Sequence, residues 1–166
     1  MENKKELFLW QQTFTTLLSV SNKLQVYGDK YINNLTVRQL MAVIAIAHLP
    51  KGEASLNAIS KKLGTTKQNM KQLINAMEKK GYVITTSSER DRRAYNVEIT
   101  ESGQLAFLES YKHGIGLLTE LFKGFSVDEL EAFWGGLKKL YSFDGEEQNG
   151  LEEPAQLYRD MFNLND

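Results

Sequence analysis

Ser55-Leu-Asn-Ala-Ile-Ser-Lys-Lys-Leu-Gly-Thr-Thr-Lys-Gln-Asn-Met-Lys-Gln-Leu-Ile-Asn-Ala-Met-Glu-Lys-Lys-Gly-Tyr-Val83 is the stretch whose reading decides the fold. Ser55 is placed to cap a short helix whose inward positions are Leu56, Ile59 and Leu63. Gly64 supplies a tight turn, and Thr65 or Thr66 caps a second helix with Met70, Leu73, Ile74 and Met77 inward. Gly81 is the C-terminal stop. Two short helices joined by a glycine-containing turn make a helix-turn-helix. The outward face of the second helix carries Lys67, Gln68, Asn69, Lys71, Gln72 and Asn75, with Thr66 at its start and no carboxylate before Glu78. Gln and Asn pair bidentately with adenine edges, and Lys serves guanine or phosphate. A merely solvated face would mix Glu with Lys to gain pairs one turn apart. These seven residues are therefore the candidate DNA contacts.

Moving outward, Tyr82 to Thr86 is β-branched and aromatic, and Tyr95, Val97 and Ile99 alternate with Asn96 and Glu98. Between them lies Ser87-Ser-Glu-Arg-Asp-Arg-Arg93, so a hairpin with a basic tip follows the helix-turn-helix as a wing. Arginines on such a tip suit a narrow minor groove, where the negative potential is concentrated. The plainer reading is that they keep an exposed edge soluble.

On the N-terminal side, Leu7, Trp10, Phe14, Leu17, Ser21 and Leu24 form a heptad-like stripe, with Leu18 alongside and Gly28-Asp29 as its end. That spacing suits a long helix packing on another helix. Thr36-x-x-Gln39 is a capping box, flanked by Leu35 and Leu40 as a hydrophobic staple. It opens a helix through Met41, Ile44 and Ala47, closed by Pro50-Lys-Gly52. On the C-terminal side, Thr100 starts a long helix with Leu105, Leu108, Tyr111, Ile115, Leu118 and Phe122 at helical spacing. Ser126-Val-Asp-Glu129 is a second capping box, before Leu130, Phe133, Trp134, Leu137 and Tyr141. These stripes exceed what one small winged module can cover, and a homodimeric helical bundle would use the surplus. The expected fold is mainly α with a small β-hairpin wing. Residues 1–30 and 101–141 would form the dimerisation region and 31–100 the winged helix-turn-helix. Residues 142–166 would be an acidic tail with at most a weak helix over 153–162.

Charge follows the same division. Lys51 to Tyr95 holds 10 Lys/Arg against 4 Asp/Glu, whereas Glu101 to Asp166 holds 5 against 13, inside a chain of net charge −1. A basic middle between neutral and acidic ends is the footprint of a polyanion-binding module. The longest apolar run, Met41 to Leu49, is far shorter than the roughly 20 residues of a membrane span. The N-terminal residues lack a signal-peptide core, and cysteine is absent, so no thiolate site or disulfide is available. A cytoplasmic protein without a cofactor fits. His48 and His113 have no ligand-spaced neighbours, which argues against a metal site. No phosphate loop or nucleophile elbow points to an enzyme. The rival is a winged-helix protein-interaction module, for which apolar residues on the exposed helix face would be expected.

The chain resembles the MarR (multiple antibiotic resistance regulator) family from about Leu7 to Tyr141. Glu89-Arg-Asp-Arg-Arg-Ala-Tyr-Asn-Val-Glu-Ile-Thr-Glu-Ser-Gly103 looks like the family's Asp-x-Arg wing, exit strand and helix start. Met77-Glu-Lys-Lys-Gly-Tyr-Val83 is similar to its recognition-helix exit. The resemblance implies a homodimer on duplex DNA, with recognition helices in successive major grooves of a pseudo-palindromic operator and wings in flanking minor grooves. By motif, Arg93 is the minor-groove arginine, Asp91 braces the wing, and Arg90 and Arg92 are phosphate contacts. The resemblance also implies a small aromatic effector between the dimer helices and the winged module. Trp10, Phe14, Tyr111 and His113 are its candidate contacts, set against their plainer reading as dimer core. The acidic tail departs from the family pattern, and the lack of cysteine excludes the family's peroxide-sensing route.

Overall fold

The computed structural model describes residues 2–87 and 95–145. Its elements are α1 (Glu2–Tyr31), α2 (Val37–Ala47), α3 (Leu56–Lys62), α4 (Lys67–Lys79), β1 (Val83–Ser87), β2 (Tyr95–Ile99), α5 (Glu101–Phe122) and α6 (Val127–Tyr141), with a 3₁₀ turn over Ser142–Asp144. The fold is mainly α with one antiparallel hairpin, in which Val83 pairs with Ile99 and Ser87 with Tyr95.

Helix starts follow the local chemistry of the sequence. Thr36, Ser55, Thr66, Thr100 and Ser126 each accept a bond from the backbone N–H three residues on. At Thr36 and Ser126 the capping box closes, because Gln39 and Glu129 bond back to the cap's own N–H. Gly64 and Gly81 sit at φ +60° and +74°, a region other residues adopt at a steric cost.

The core lies under the helix-turn-helix. Val43 of α2, Ile59 of α3, Met70, Ile74 and Met77 of α4, Val83 and Val97 of the hairpin, and Phe107 of α5 are all essentially inaccessible. Each such side chain contributes roughly 1.5–3 kcal/mol of burial free energy. Gly103 lets the start of α5 seat on the strand entrance, since a Cβ there would stand 2.0 Å from the Tyr82 carbonyl oxygen.

Three expectations are corrected. Gly28 and Asp29 do not end α1, which continues to Tyr31. Gly28 is buried and its missing Cβ admits Val37, whose Cγ2 would lie 2.5 Å from it, while Asp29 Oδ1 accepts from Val37 N–H at 2.6 Å. The buried side of α2 is Gln39, Ala42, Val43, Ala45 and Ile46, one step round from Met41, Ile44 and Ala47. In β2, Asn96 is buried and Tyr95 is 56% exposed, because Asn96 bridges to Ser55 and Val97 N–H donates to Ala54 at 2.9 Å. The α3 entrance thus adds a short third strand contact to the hairpin.

The long helices keep much of their apolar surface exposed within one chain. In α5 the buried residues are Gly103, Ala106, Phe107, Ser110 and Leu117, while Leu105, Ile115 and Leu118 are at least half exposed. Trp10 and Phe14 of α1 and Phe133 and Trp134 of α6 are likewise exposed, and no described residue of α6 is buried. The apolar stripes exist, but within one chain they cover little.

A short turn ties these layers together. Asn34, at φ +67°, donates its side-chain amide to Glu109 of α5, and Ser110 Oγ donates to Asn33 O at 2.6 Å. Lys80, just past α4, reaches Asn34 O at 3.4 Å and Gln39 Oε1 at 3.5 Å. The end of the second helix of the helix-turn-helix is therefore held by the same turn that joins α1, α2 and α5.

Candidate nucleic-acid interface

The interface begins at the turn between α3 and α4. Thr65 N–H donates to Ser60 O at 2.9 Å, and Thr66 Oγ1 accepts from Asn69 N–H at 3.1 Å. These bonds settle the cap on Thr66 and fix the rotation of α4. Met70, Ile74 and Met77 then point into the core, so Lys67, Gln68, Asn69, Lys71, Gln72 and Asn75 are all exposed. The first carboxylate, Glu78, is turned aside: its Oε1 accepts from Thr85 N–H at 3.0 Å and Thr85 Oγ1 at 2.8 Å. The face of α4 thus presents amides and ammonium groups without a competing anion, and its fixed carboxylate serves the hairpin.

The hairpin stem is described, with Thr86 Oγ1 donating to Glu98 Oε1 across the strands at 3.0 Å. The tip residues assigned from sequence, Arg90, Asp91, Arg92 and Arg93, lie outside the described residues, as does the tail beyond Gly145.

The candidate effector residues lie on two helices, α1 and α5. Trp10 and Phe14 are 60% and 64% exposed on α1, and His113 is exposed on α5 with its ring Nδ1 2.8 Å from Glu109 O. Tyr111 packs on Phe107 with ring centroids 5.9 Å apart. A groove of about 660 Å³ between α1, α2 and the helix-turn-helix is lined by none of the four. Its walls include Arg38, Met41, Leu63, Met70 and Leu73, and its rim includes Asn69 and Gln72. Arg38 Nε donates to Gln25 Oε1 of α1 at 3.0 Å. This groove is not legible in the chain's periodicity, since its walls come from helices brought together only by folding. At the far end of α3, burial lowers the Lys62 pKa, and Tyr141 OH donates to Lys62 O at 3.2 Å.

Residues 33–94 match the MarR family. Among curated proteins, the chain is 32% identical over 89 residues to the uncharacterised HTH-type transcriptional regulator YfiV of Bacillus subtilis, covering 54% of this chain and 56% of YfiV. That match spans little more than half of the relative's length. With the HTH-type transcriptional regulator PapX of Escherichia coli the identity is 26% over 136 residues, 82% of each chain. The S. aureus MepR–DNA complex superimposes with a TM-score of 0.67 at 21% identity, over 77% of this chain and 95% of MepR. The capped helix-turn-helix, the hairpin after it and the flanking long helices agree with these matches: over residues 33–94 the chain is similar to the MarR family, and its fold is that of a winged helix-turn-helix transcriptional regulator.

Proposed function

We propose that the chain binds a pseudo-palindromic operator in duplex DNA as a homodimer, with α4 of each subunit in the major groove and each wing in a flanking minor groove. The observation that carries this is the exposed, carboxylate-free face of α4, with Glu78 tied back to Thr85. Amide side chains there suit base edges and lysines suit phosphates. MepR, of the same fold, is in complex with DNA. On this reading residues 31–100 bind DNA, while 1–30 and 101–141 form the dimer. The exposed apolar residues of α1, α5 and α6 support the dimer, because a lone chain would leave them in water. The protein works where the DNA is, in the cytoplasm. A small aromatic effector belongs to the same proposal, with Trp10, Phe14, Tyr111 and His113 as its contacts and the exposure of the two α1 aromatics as its support.

The test is a mobility shift with duplex fragments from the chain's own promoter, beside light scattering. We expect a shift that rising salt abolishes, and a mass twice the 18.9 kDa of one chain. No shift on any duplex at low salt would overturn DNA binding in favour of protein docking through the same face. A mass of one chain at micromolar concentration would overturn the dimer.

A further inference from the structure

We propose that Arg38, in the first turn of α2, is a phosphate contact held in position by Gln25 of α1. It meets the DNA strand that borders the major groove occupied by α4. The assignment rests on the DNA-binding reading above and adds a contact outside both the helix-turn-helix and the wing.

The first argument is position. Arg38 lines the groove between α1, α2 and α4 together with Asn69 and Gln72 of the recognition face. The groove therefore opens on the side of α4 turned toward DNA. A helix with its side chains is about 10–12 Å across and the major groove about 12 Å wide, so α4 fills it from wall to wall. What stands beside α4 on that side meets the phosphates at the groove's edge, and Arg38 stands there.

The second argument is charge. Arg38 is the one charged residue among those lining the groove, and the one charged residue of α2. Among the described residues its side chain forms no ion pair, and its Nε donates to the neutral Gln25 Oε1 at 3.0 Å. Asp29, an acid at the same helix start, accepts from Val37 N–H instead. An amide partner leaves the guanidinium its full charge and both terminal NH2 groups, the fork that matches phosphate.

The third argument is that the fold itself does not ask for a cation there. The start of a helix carries partial positive charge, so an arginine in the first turn opposes the helix dipole. No acid in the first turn of α2 offsets it. An anion from outside the chain, such as a phosphate oxygen, answers the side chain and the helix start together.

Gln25 has the positioning task. It is half-buried on α1, in the region proposed to form the dimer, so its bond to Nε ties the phosphate contact to the dimer scaffold.

The experiment is fluorescence anisotropy of the full chain on a duplex from its own promoter and on random duplex, over a range of salt. A dimer loses two arginines in Arg38→Ala, so the salt slope should fall in magnitude by up to about 2, at roughly 0.9 per phosphate. Affinity near 0.1 M salt should fall at least about tenfold on both duplexes, because a phosphate contact carries no sequence information. Arg38→Lys should keep the slope and recover only part of the affinity, since lysine lacks both the fork and Nε. Gln25→Ala should weaken binding about threefold alone and not at all in the Arg38→Ala background, a coupling that a merely structural glutamine would not give. Thermal melts accompany the titrations, and Arg38→Gln takes the place of Arg38→Ala should the latter fail to fold. Unchanged slope and affinity in a folded variant without the charge, or a loss confined to the promoter duplex, would overturn the phosphate contact while DNA binding stands. Additive losses from Gln25→Ala and Arg38→Ala would overturn the positioning role. A wild type that binds neither duplex at low salt would defeat the DNA reading and this assignment with it.

Discussion

Glu78 Oε1 accepts two hydrogen bonds from one residue, Thr85, at 3.0 Å from its backbone N–H and 2.8 Å from its hydroxyl. Glu78 closes the exposed face of α4 and Thr85 sits mid-strand in β1, so the pair joins the recognition helix to the wing stem. The same bonds turn the helix's carboxylate away from the face that would meet phosphate.

Removing this tie should cost both stability and wing placement. Glu78→Ala should lower unfolding free energy by about 1 kcal/mol, the usual net worth of such bonds. Glu78→Gln should lose less, because its amide oxygen still accepts from Thr85. Urea denaturation of the two variants checks this, and equal losses would show that the bonds contribute little. If wing placement matters for binding, Glu78→Ala should also weaken duplex affinity although it deletes a negative charge.

On the α4 face, Gln68 and Gln72 are exposed amides without a structural task among the described contacts. Gln68→Ala or Gln72→Ala should therefore cost about 1–3 kcal/mol at the operator and little on random duplex. Fluorescence anisotropy on both kinds of DNA separates the outcomes. Equal losses on the two would assign these residues to backbone contact instead.

For the wing tip, the expectation comes from sequence and family resemblance. Arg93→Ala removes two arginines from a dimer and should lower the magnitude of the salt slope by up to about 2, since each neutralised phosphate contributes roughly 0.9. Asp91→Ala separates a brace from a bystander. Charge alone predicts tighter binding on losing an anion near DNA, and a bracing role predicts weaker binding. An operator titration showing tighter binding with unchanged thermal stability would remove Asp91 from the wing mechanism.

Glu129 gives the chain a pH-dependent helix start. The Ser126 N–H, and then the Ser126 hydroxyl, hold its pKa below the usual 4.5. The carboxylate form is the one favoured in the folded state, so its contribution is present above about pH 4.5 and is lost as pH falls through the lowered value. Helicity of α6 should weaken over that acid range, and Glu129→Gln should remove that component of the pH dependence. Circular dichroism from pH 6 down to about 2 on both proteins makes the comparison.

What the sequence determined by itself is what depends on neighbours a few residues apart. The caps at Thr36, Ser55, Thr66, Thr100 and Ser126 are bonds to a backbone N–H three positions on, and Gly64 and Gly81 answer a local need for positive φ. The polar face of α4 was legible for the same reason, since helical periodicity sorts Met70, Ile74 and Met77 from Lys67, Gln68 and Gln72 without any distant contact. The tertiary structure alone decided matters set by residues far apart in the chain. α1 runs past Gly28 because Val37 needs the space of the absent side chain and Asp29 bonds its N–H. Asn96 is buried in place of Tyr95 because Ser55 and Ala54 of the α3 entrance add themselves to β2. The buried side of α5 runs through Gly103, Ala106, Phe107, Ser110 and Leu117 and leaves Leu105, Ile115 and Leu118 outside, because Ser110 reaches Asn33 and Phe107 packs in the core. Periodicity marks which residues share a side of a helix, but which side turns inward is settled by what the rest of the chain brings against it.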